Sequence, residues 1–511
     1  MKISHLTSSM LLVLPLFVPS HSAWASYAFY VGNNLTQDQG VLVGGTGEEV
    51  SSHWLEIVPA ADHEPGSMIE VGVTEAAYLP GQLVEIPQVA HTFRYLSMSY
   101  SDYEGFPAPL TNGGVNEHQV AVRDVWATNR EELIDMTPSP QRGPQYSDLA
   151  RLVLERASSA REGVELIGEL IAKHGYSTYG GNTHLIADPD EGWVVWEFAG
   201  GQGLWAAERL GSDDVRVLYP GYIEEFPLDY QQNPDFMGSD NLVTFAEEQG
   251  WFDSQGNETF NIFDIYGRQD TQARTGGYKY MTQAALEKAT EEMAPVTEQE
   301  MMVRVRDHRI TDDEAGYGQV ISLKQGVNAD LVRIWVAPTG SVAAPFLPWW
   351  LGVQQVPLEF GQHRYLTKGT ASNFLNPDFQ IQEASDFAGR RFKQVMYLMC
   401  EKPAAYRPKV TEMLKGFEQE SFDDMTWVEG SARTLIDQGQ RENARAMLTF
   451  YANSRAEEAM DLGETLVDWL YASLKLTSGL RRPESEQIND PGGETVNCLV
   501  DADPDKPQDA Q

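Results

Sequence analysis

Alternation with a period of two runs through the first two-thirds of the chain and sets what it can fold into. Residues 27–31, 40–44, 54–58, 94–98 and 120–126 are short segments of alternating or continuous apolar character, broken by Gly, Asn and Asp. Side chains two apart share one face of a strand, so these segments read as β-strands. Residues 27–31 and 40–44 suggest a hairpin with a longer loop. Residues 183–187 and 193–198 flank Asp188-Pro189-Asp190-Glu191-Gly192, whose composition is that of a turn, and form a second hairpin. Residues 204–210 and 214–218 read as continuing that sheet, and residues 331–337 as a late strand.

Between these strands, residues 147–175 read as two helices. Ser159-Ala160-Arg161-Glu162 has the S-x-x-E pattern of a capping box, and Gly175 is a C-terminal stop. From about residue 383 the texture becomes helical throughout, with helices expected over 387–400, 407–417 and 441–476. Leu462, Leu466, Leu470 and Leu474 recur every four residues, an apolar stripe that reads as packing. The expected organisation is a signal segment over 1–25, a mixed core over 26–380, a helical region over 381–480 and a disordered acidic tail over 481–511.

The first segment has the marks of an export signal. Lys2 precedes the apolar run 10–18, and Ala23-Trp24-Ala25 fits the small-residue cleavage pattern. That run is shorter than the roughly 20 residues a membrane-spanning helix needs. The expectation is a periplasmic or secreted protein whose mature chain begins at Ser26. At 42% hydrophobic residues with 12 Trp, the chain has the material for a sizeable core. Its net charge of −38 argues against nucleic acid and anionic lipid as partners, since phosphate binding needs clustered Lys and Arg. The two cysteines, Cys400 and Cys498, are able to pair in an oxidising compartment.

Familiar catalytic patterns are missing. There is no H-E-x-x-H or G-x-S-x-G, and Gly44-Gly45-Thr46-Gly47 lacks the Lys of a phosphate loop. Ser26 stands out because cleavage after Ala25 would give it a free α-amine. That amine has a reference pKa of about 7.7–8.0, so it is able to accept the hydroxyl proton near neutrality.

The residues around Ser26 resemble the start of the dipeptidase A family, related to the secernins. Ser26-Tyr27-Ala28-Phe29-Tyr30-Val31-Gly32-Asn33, Asp38 and the following strand match its opening. Gly114-Val115-Asn116-Glu117-His118-Gln119-Val120-Ala121, residues 160–167, Gly181-Asn182-Thr183-His184 running through Trp193 to Glu197, and Ala344-Pro345-Phe346 are similar to later family segments in the same order. The resemblance spans roughly residues 26–475.

That resemblance implies an α+β fold, the four-layer αββα sandwich of N-terminal-nucleophile hydrolases, with the helical region packed on it. It implies an exported dipeptidase acting on small peptides, with no cofactor and no metal. Ser26 takes the place of the family's nucleophilic Cys, and Glu48 that of an acidic residue holding the α-amine. Asn116 and Asn182 are implied polar supports. The family's Arg after the second strand falls on Gly45, and a later family Asn falls on Tyr219. Glu197 reads as a buried hydrogen-bonded partner and His184 as a satisfied sheet residue. The alternatives are an amide acylase of the choloylglycine or penicillin V acylase type, and a non-catalytic binding protein retaining the fold.

Overall fold

Along Gly192–Glu197 the side chains divide by parity. Trp193 and Val195 pack with the helices Tyr146–Arg156 (α1) and Ala160–His174 (α2), whereas Val194 and Trp196 enter a second, larger core. Ile186 is divided from Leu185 and Ala187 in the same way, and Val122 from Ala121 and Val125. One sheet therefore buries both of its faces, each with its own apolar set.

The computed structural model describes residues 26–47, 53–101, 105–219, 221–256, 259–268, 282–311, 315–362 and 386–478. The proposed signal segment, Glu48, Cys498 and the proposed acidic tail lie outside the described residues. Two large sheets occur among them, both antiparallel throughout. Their strands are β1 (Ala28–Val31), β2 (Val41–Gly47), β3 (His53–Val58), β4 (Tyr95–Tyr100), β5 (Leu110–Asn116), β6 (Ala121–Trp126), β7 (Asn182–Ala187), β8 (Gly192–Glu197), β9 (Trp205–Leu210), β10 (Val215–Leu218), β11 (Phe236–Gly238), β12 (Tyr317–Leu323), β13 (Arg333–Ala337) and β14 (Leu347–Trp350). The six-stranded sheet has the order β10-β1-β2-β12-β13-β14, and the eight-stranded sheet β11-β9-β8-β7-β6-β5-β4-β3.

Both expected hairpins form. The turn between β7 and β8 is held by Asp188, whose carboxylate accepts from Asp190 N at 2.8 Å and Glu191 N at 3.1 Å. Its other oxygen accepts from Ala160 N at 2.7 Å, which ties the hairpin to the start of α2. Ser159 caps α2 through Glu162 N, but the Glu162 carboxylate returns to Ser158 rather than to Ser159, so the capping box is only half made. Residues 215–218 do form a strand, yet it pairs with β1 instead of extending the hairpin's sheet. The Asp214 carboxylate accepting from Gly211 N at 2.6 Å marks the turn where the chain changes sheets.

On the six-stranded sheet, Gln283–Glu291 (α3) packs beside β10, and Glu298–Val305 (α4) beside β2 and β12. The last three helices are Ala388–Cys400 (α5), Pro403–Asp437 (α6) and Arg441–Ser478 (α7). The helix expected over 407–417 runs on to Asp437, because Ser421, Met425, Val428 and Ala432 continue its buried stripe at spacings of three and four. Leu466 and Leu470 of the expected α7 stripe are fully buried. These helices share one core with the six-stranded sheet: Trp335 of β13 stacks on Phe422 at 4.4 Å, and buried Arg306 forks onto Glu418.

Candidate functional site

The two sheets face each other through one set of side chains. Tyr30 of β1 reaches the turn after β9, its hydroxyl donating to Gly211 O at 3.0 Å. A Cβ on Gly192 would meet the Tyr30 ring at 2.5 Å, so glycine makes room for it. Tyr30, Ala28 and Ser26 share parity, so the alternation places Ser26 on this inter-sheet face at the end of the row. Ser26 is buried, 6% exposed.

β2 grips the residue after it. Tyr27 N donates to Thr46 Oγ1 at 3.2 Å, and Thr46 N donates to Tyr27 O at 3.0 Å. A side chain at Gly45 is excluded, since its Cβ would lie 2.1 Å from Tyr27 O and the residue has φ +157°. The cation that the family resemblance assigns to this position has no room here.

A guanidinium arrives instead from the opposite sheet. Arg123 of β6 is fully buried and reaches across to the six-stranded sheet. Its Nη2 donates to Thr46 O, and its Nη1 to the Tyr317 hydroxyl and, at 3.5 Å, to Asn112 O. The Tyr317 ring lies under the guanidinium at 5.0 Å, a cation–π arrangement, and fills the space over Gly47. Asn112 Oδ1 also accepts from His53 Nε2 at 3.1 Å. A cavity of about 20 Å³, enough for one water, is bounded by His53, Met98, Tyr317 and Val336 below α5.

One row inward, Gln319 of β12 stands opposite Gly45 and is fully buried. Neither its amide nitrogen nor its oxygen has a hydrogen-bond partner among the described residues. Such a group is costly to bury unless a ligand completes it.

Asn116 and Asn182 do not join Ser26. Asn116 donates to Leu154 O at 3.1 Å and Ala157 O at 2.8 Å, and accepts from His118 N and Val120 N. Its capacity is spent fixing the β5–β6 turn to the end of α1. Asn182 shares parity with His184, on the α1 side of the eight-stranded sheet. Its carboxamide lies 3.0 Å from the Tyr179 hydroxyl and, with nitrogen toward that hydroxyl, donates to Val125 O at 3.2 Å. Tyr219 is stacked flat on Tyr27 at 3.9 Å, a packing contact.

The α1 side of this sheet carries its own ionisable group. His184 Nδ1 lies 2.6 Å from Glu197 Oε1, and its Nε2 donates to Tyr146 O at 3.0 Å. Asp124 stands opposite His184 in the β6–β7 register and is hydrogen-bonded by Asn112. Burial pushes the Asp124 and Glu197 carboxyls up. Burial opposes charge on His184, but the Glu197 carboxylate outweighs it and the imidazole pKa is raised.

Among the described residues, no group of three His, Cys, Asp or Glu is placed to hold a metal, and no helix is long and apolar enough to cross a membrane.

Residues 82–301 match the family model for peptidase family C69. Over this segment the chain is similar to the C69 peptidases. Probable dipeptidase B of Lactococcus lactis is 35% identical over 159 residues, 30% of this chain and 32% of that protein. Probable dipeptidase B of Streptococcus pyogenes serotype M3 is 25% identical over 242 residues, 47% and 46% of the two chains. The chain thus spans less than half the length of these relatives. Mutant and variant forms of the conjugated bile acid hydrolase from Clostridium perfringens superpose on 67% and 66% of this chain and 96% of their own, at 11% and 12% identity and TM-scores of 0.34 and 0.33, too loose a likeness to carry an argument. The family match includes Asn112, Arg123 and the His184–Glu197 pair and begins after Ser26 and Glu48.

Arg123, Tyr317 and Gln319 escaped sequence reasoning. The signal for Arg123 was present: a charged residue inside the alternating segment 120–126, on the parity of Ala121 and Val125.

Proposed function

We propose that this chain is an exported amidohydrolase of the dipeptidase type, and that Ser26, freed by cleavage after Ala25, is its nucleophile. The observation that carries the reading is the position of Ser26. It is buried at the head of β1, on the face between the sheets, with Thr46 bonded to the next residue and the Arg123 guanidinium bonded to Thr46. The fold in this reading is the four-layer αββα sandwich of N-terminal-nucleophile hydrolases, with α1 and α2 outside one sheet and α3 and α4 outside the other.

In the reaction, Ser26 Oγ attacks the peptide carbonyl carbon and its proton passes to the α-amine. The tetrahedral intermediate collapses, the C–N bond breaks, and the amine product leaves with that proton. Water then attacks the ester, again giving a proton to the α-amine, and the acid product departs with Ser26 restored. Glu48 is assigned to hold the α-amine. Similarity to the C69 peptidases supports the peptidase reading over acylase chemistry on other amides.

The test is the mass of the mature N-terminal peptide together with two variants. Ser26→Ala, correctly processed, is expected to lose hydrolysis of dipeptides by at least about a thousandfold with an unchanged melting temperature. Ser26→Cys is expected to retain activity. Near-normal turnover by Ser26→Ala, or a mature chain beginning before Ser26, refutes the assignment.

A further inference from the structure

Arg123 is a cation in an unusual position. It is fully buried between the sheets, yet it makes no ion pair within 4 Å among the described residues, and its Nε–H has no hydrogen-bond partner among them. Its partners are two carbonyl oxygens and a phenol. The other buried arginines of this chain are matched to carboxylates, although Arg151 and Arg455 also carry an Nε–H without a partner among the described residues: Arg306 forks onto Glu418, Arg151 bridges Asp148 and Glu155, and Arg455 pairs with Glu420 and Glu458. Asp124, next in the chain, is pushed by burial toward its neutral form and forms no bridge to Arg123. A buried guanidinium held by neutral groups lacks the compensation that makes burial of charge tolerable.

The missing compensation fits an anion brought by the substrate. A protein of net charge −38 repels acidic molecules in general, so a site that accepts one needs a local cation. The guanidinium sits in the row of Ser26, Gly47 and Tyr317. Gln319, one row inward on the same face, offers an unpaired donor and an unpaired acceptor, the complement of a peptide group. Gly45 leaves the floor between the two rows without a side chain.

We propose that Arg123 binds the carboxylate of the substrate, making this a site for short peptides with a free acid end. The inference rests on the Ser26 reading for the location of the reaction, and adds to it which end of the substrate is held. Arg123 reaches the carboxylate through Nε–H, while its Nη atoms stay on Thr46 and Tyr317.

The experiment measures binding and turnover separately. The probes are alanylalanine, leucylglycine and the C-terminal amide of each. On full-length, processed Ser26→Ala, titration calorimetry is expected to show each free acid binding at least about tenfold tighter than its amide, the size expected of a charge-assisted hydrogen bond. In Ser26→Ala/Arg123→Gln that preference falls to about twofold or less, by loss of acid binding alone. Arg123→Lys, which keeps the charge without the fork, serves where the Gln variant is not recovered folded, and gives an intermediate preference. Equal binding of acids and amides, no binding of any acid, or a preference untouched by substitution overturns the inference. In the otherwise unaltered enzyme, Arg123→Gln raises KM for the acids by a larger factor than KM for the amides. A fall in kcat shared equally by acids and amides, with KM unmoved, also overturns it. If Ser26→Ala still hydrolyses while the acid preference is lost in Arg123→Gln, the Ser26 reading falls and the carboxylate assignment stands.

Discussion

Arg123 and Asp124 are consecutive residues of one strand, and their surroundings differ in kind. Arg123 crosses to the six-stranded sheet and meets only neutral acceptors. Asp124 stands opposite His184, in a group that also contains Glu197 and Asn112. The second group is closed in charge: an imidazole lies between carboxyls, and its other nitrogen is bonded to Tyr146 O, although Asp124 Oδ1 and Glu197 Oε2 have no hydrogen-bond partner among the described residues. The first group is open on its Nε side. A buried charge matched by its own chain specifies the fold, whereas one left without a counter-charge is where an anion is able to bind.

Breaking the closed group is expected to have the larger effect on stability. Glu197→Gln leaves His184 without its anion in a site that is 0% exposed, which is expected to cost about 3–5 kcal/mol, read as a shift in the urea midpoint. The same substitution should leave KM for dipeptides unchanged below the transition, since Glu197 lies on the other side of the sheet from Ser26. A variant with normal stability, or one with altered KM, would erase the distinction between the two groups.

The pH dependence sharpens it. Glu197 raises the His184 pKa above 6.5 in the folded state. A raised pKa means that the folded protein binds more protons than the unfolded chain, so its stabilisation is complete below pH 6.5 and is lost as pH rises through the folded value. The urea midpoint of the unaltered protein should therefore fall as pH is raised from 6.5, and the slope should flatten in Glu197→Gln. A midpoint that climbs across this range would show that His184 is held neutral.

The smallest effect is expected on the open side. Gln319→Leu removes an amide that has no partner at either end, and should raise stability by about 1 kcal/mol, seen as a higher midpoint. The same change should weaken peptide binding. Stabilisation without any loss of affinity would detach Gln319 from the site.

What the sequence disclosed follows the range of the interactions involved. Period-two alternation located β3, β4, β6, β7 and β8 to within a few residues, because a strand covered on both faces writes its pattern locally. The four-residue Leu stripe did the same for α7. The choice of face is not local. Asn116 and Asn182 were chosen for residue type and neighbourhood, and only the pairing of whole sheets shows that they point away from Ser26. Arg123 lay inside a recognised strand, but the identity of its neighbours depends on β2 and β12, which are about 80 and 190 residues away in the chain. Tyr317 and Gln319 fell in a segment that had not been read as a strand. The exit of residues 215–218 to the other sheet rests on long-range pairing in the same way.

β1 is hydrogen-bonded on both sides, to residues 215–218 of β10 and residues 42–45 of β2. Chain ends ordinarily fray, and their amides exchange with solvent first. An end created just ahead of β1 would instead be clamped into the interior of a sheet within two residues. Its amides from Phe29 onward should then be among the last in the molecule to take up deuterium, so that a serine at this terminus would be held as firmly as one in the middle of a strand.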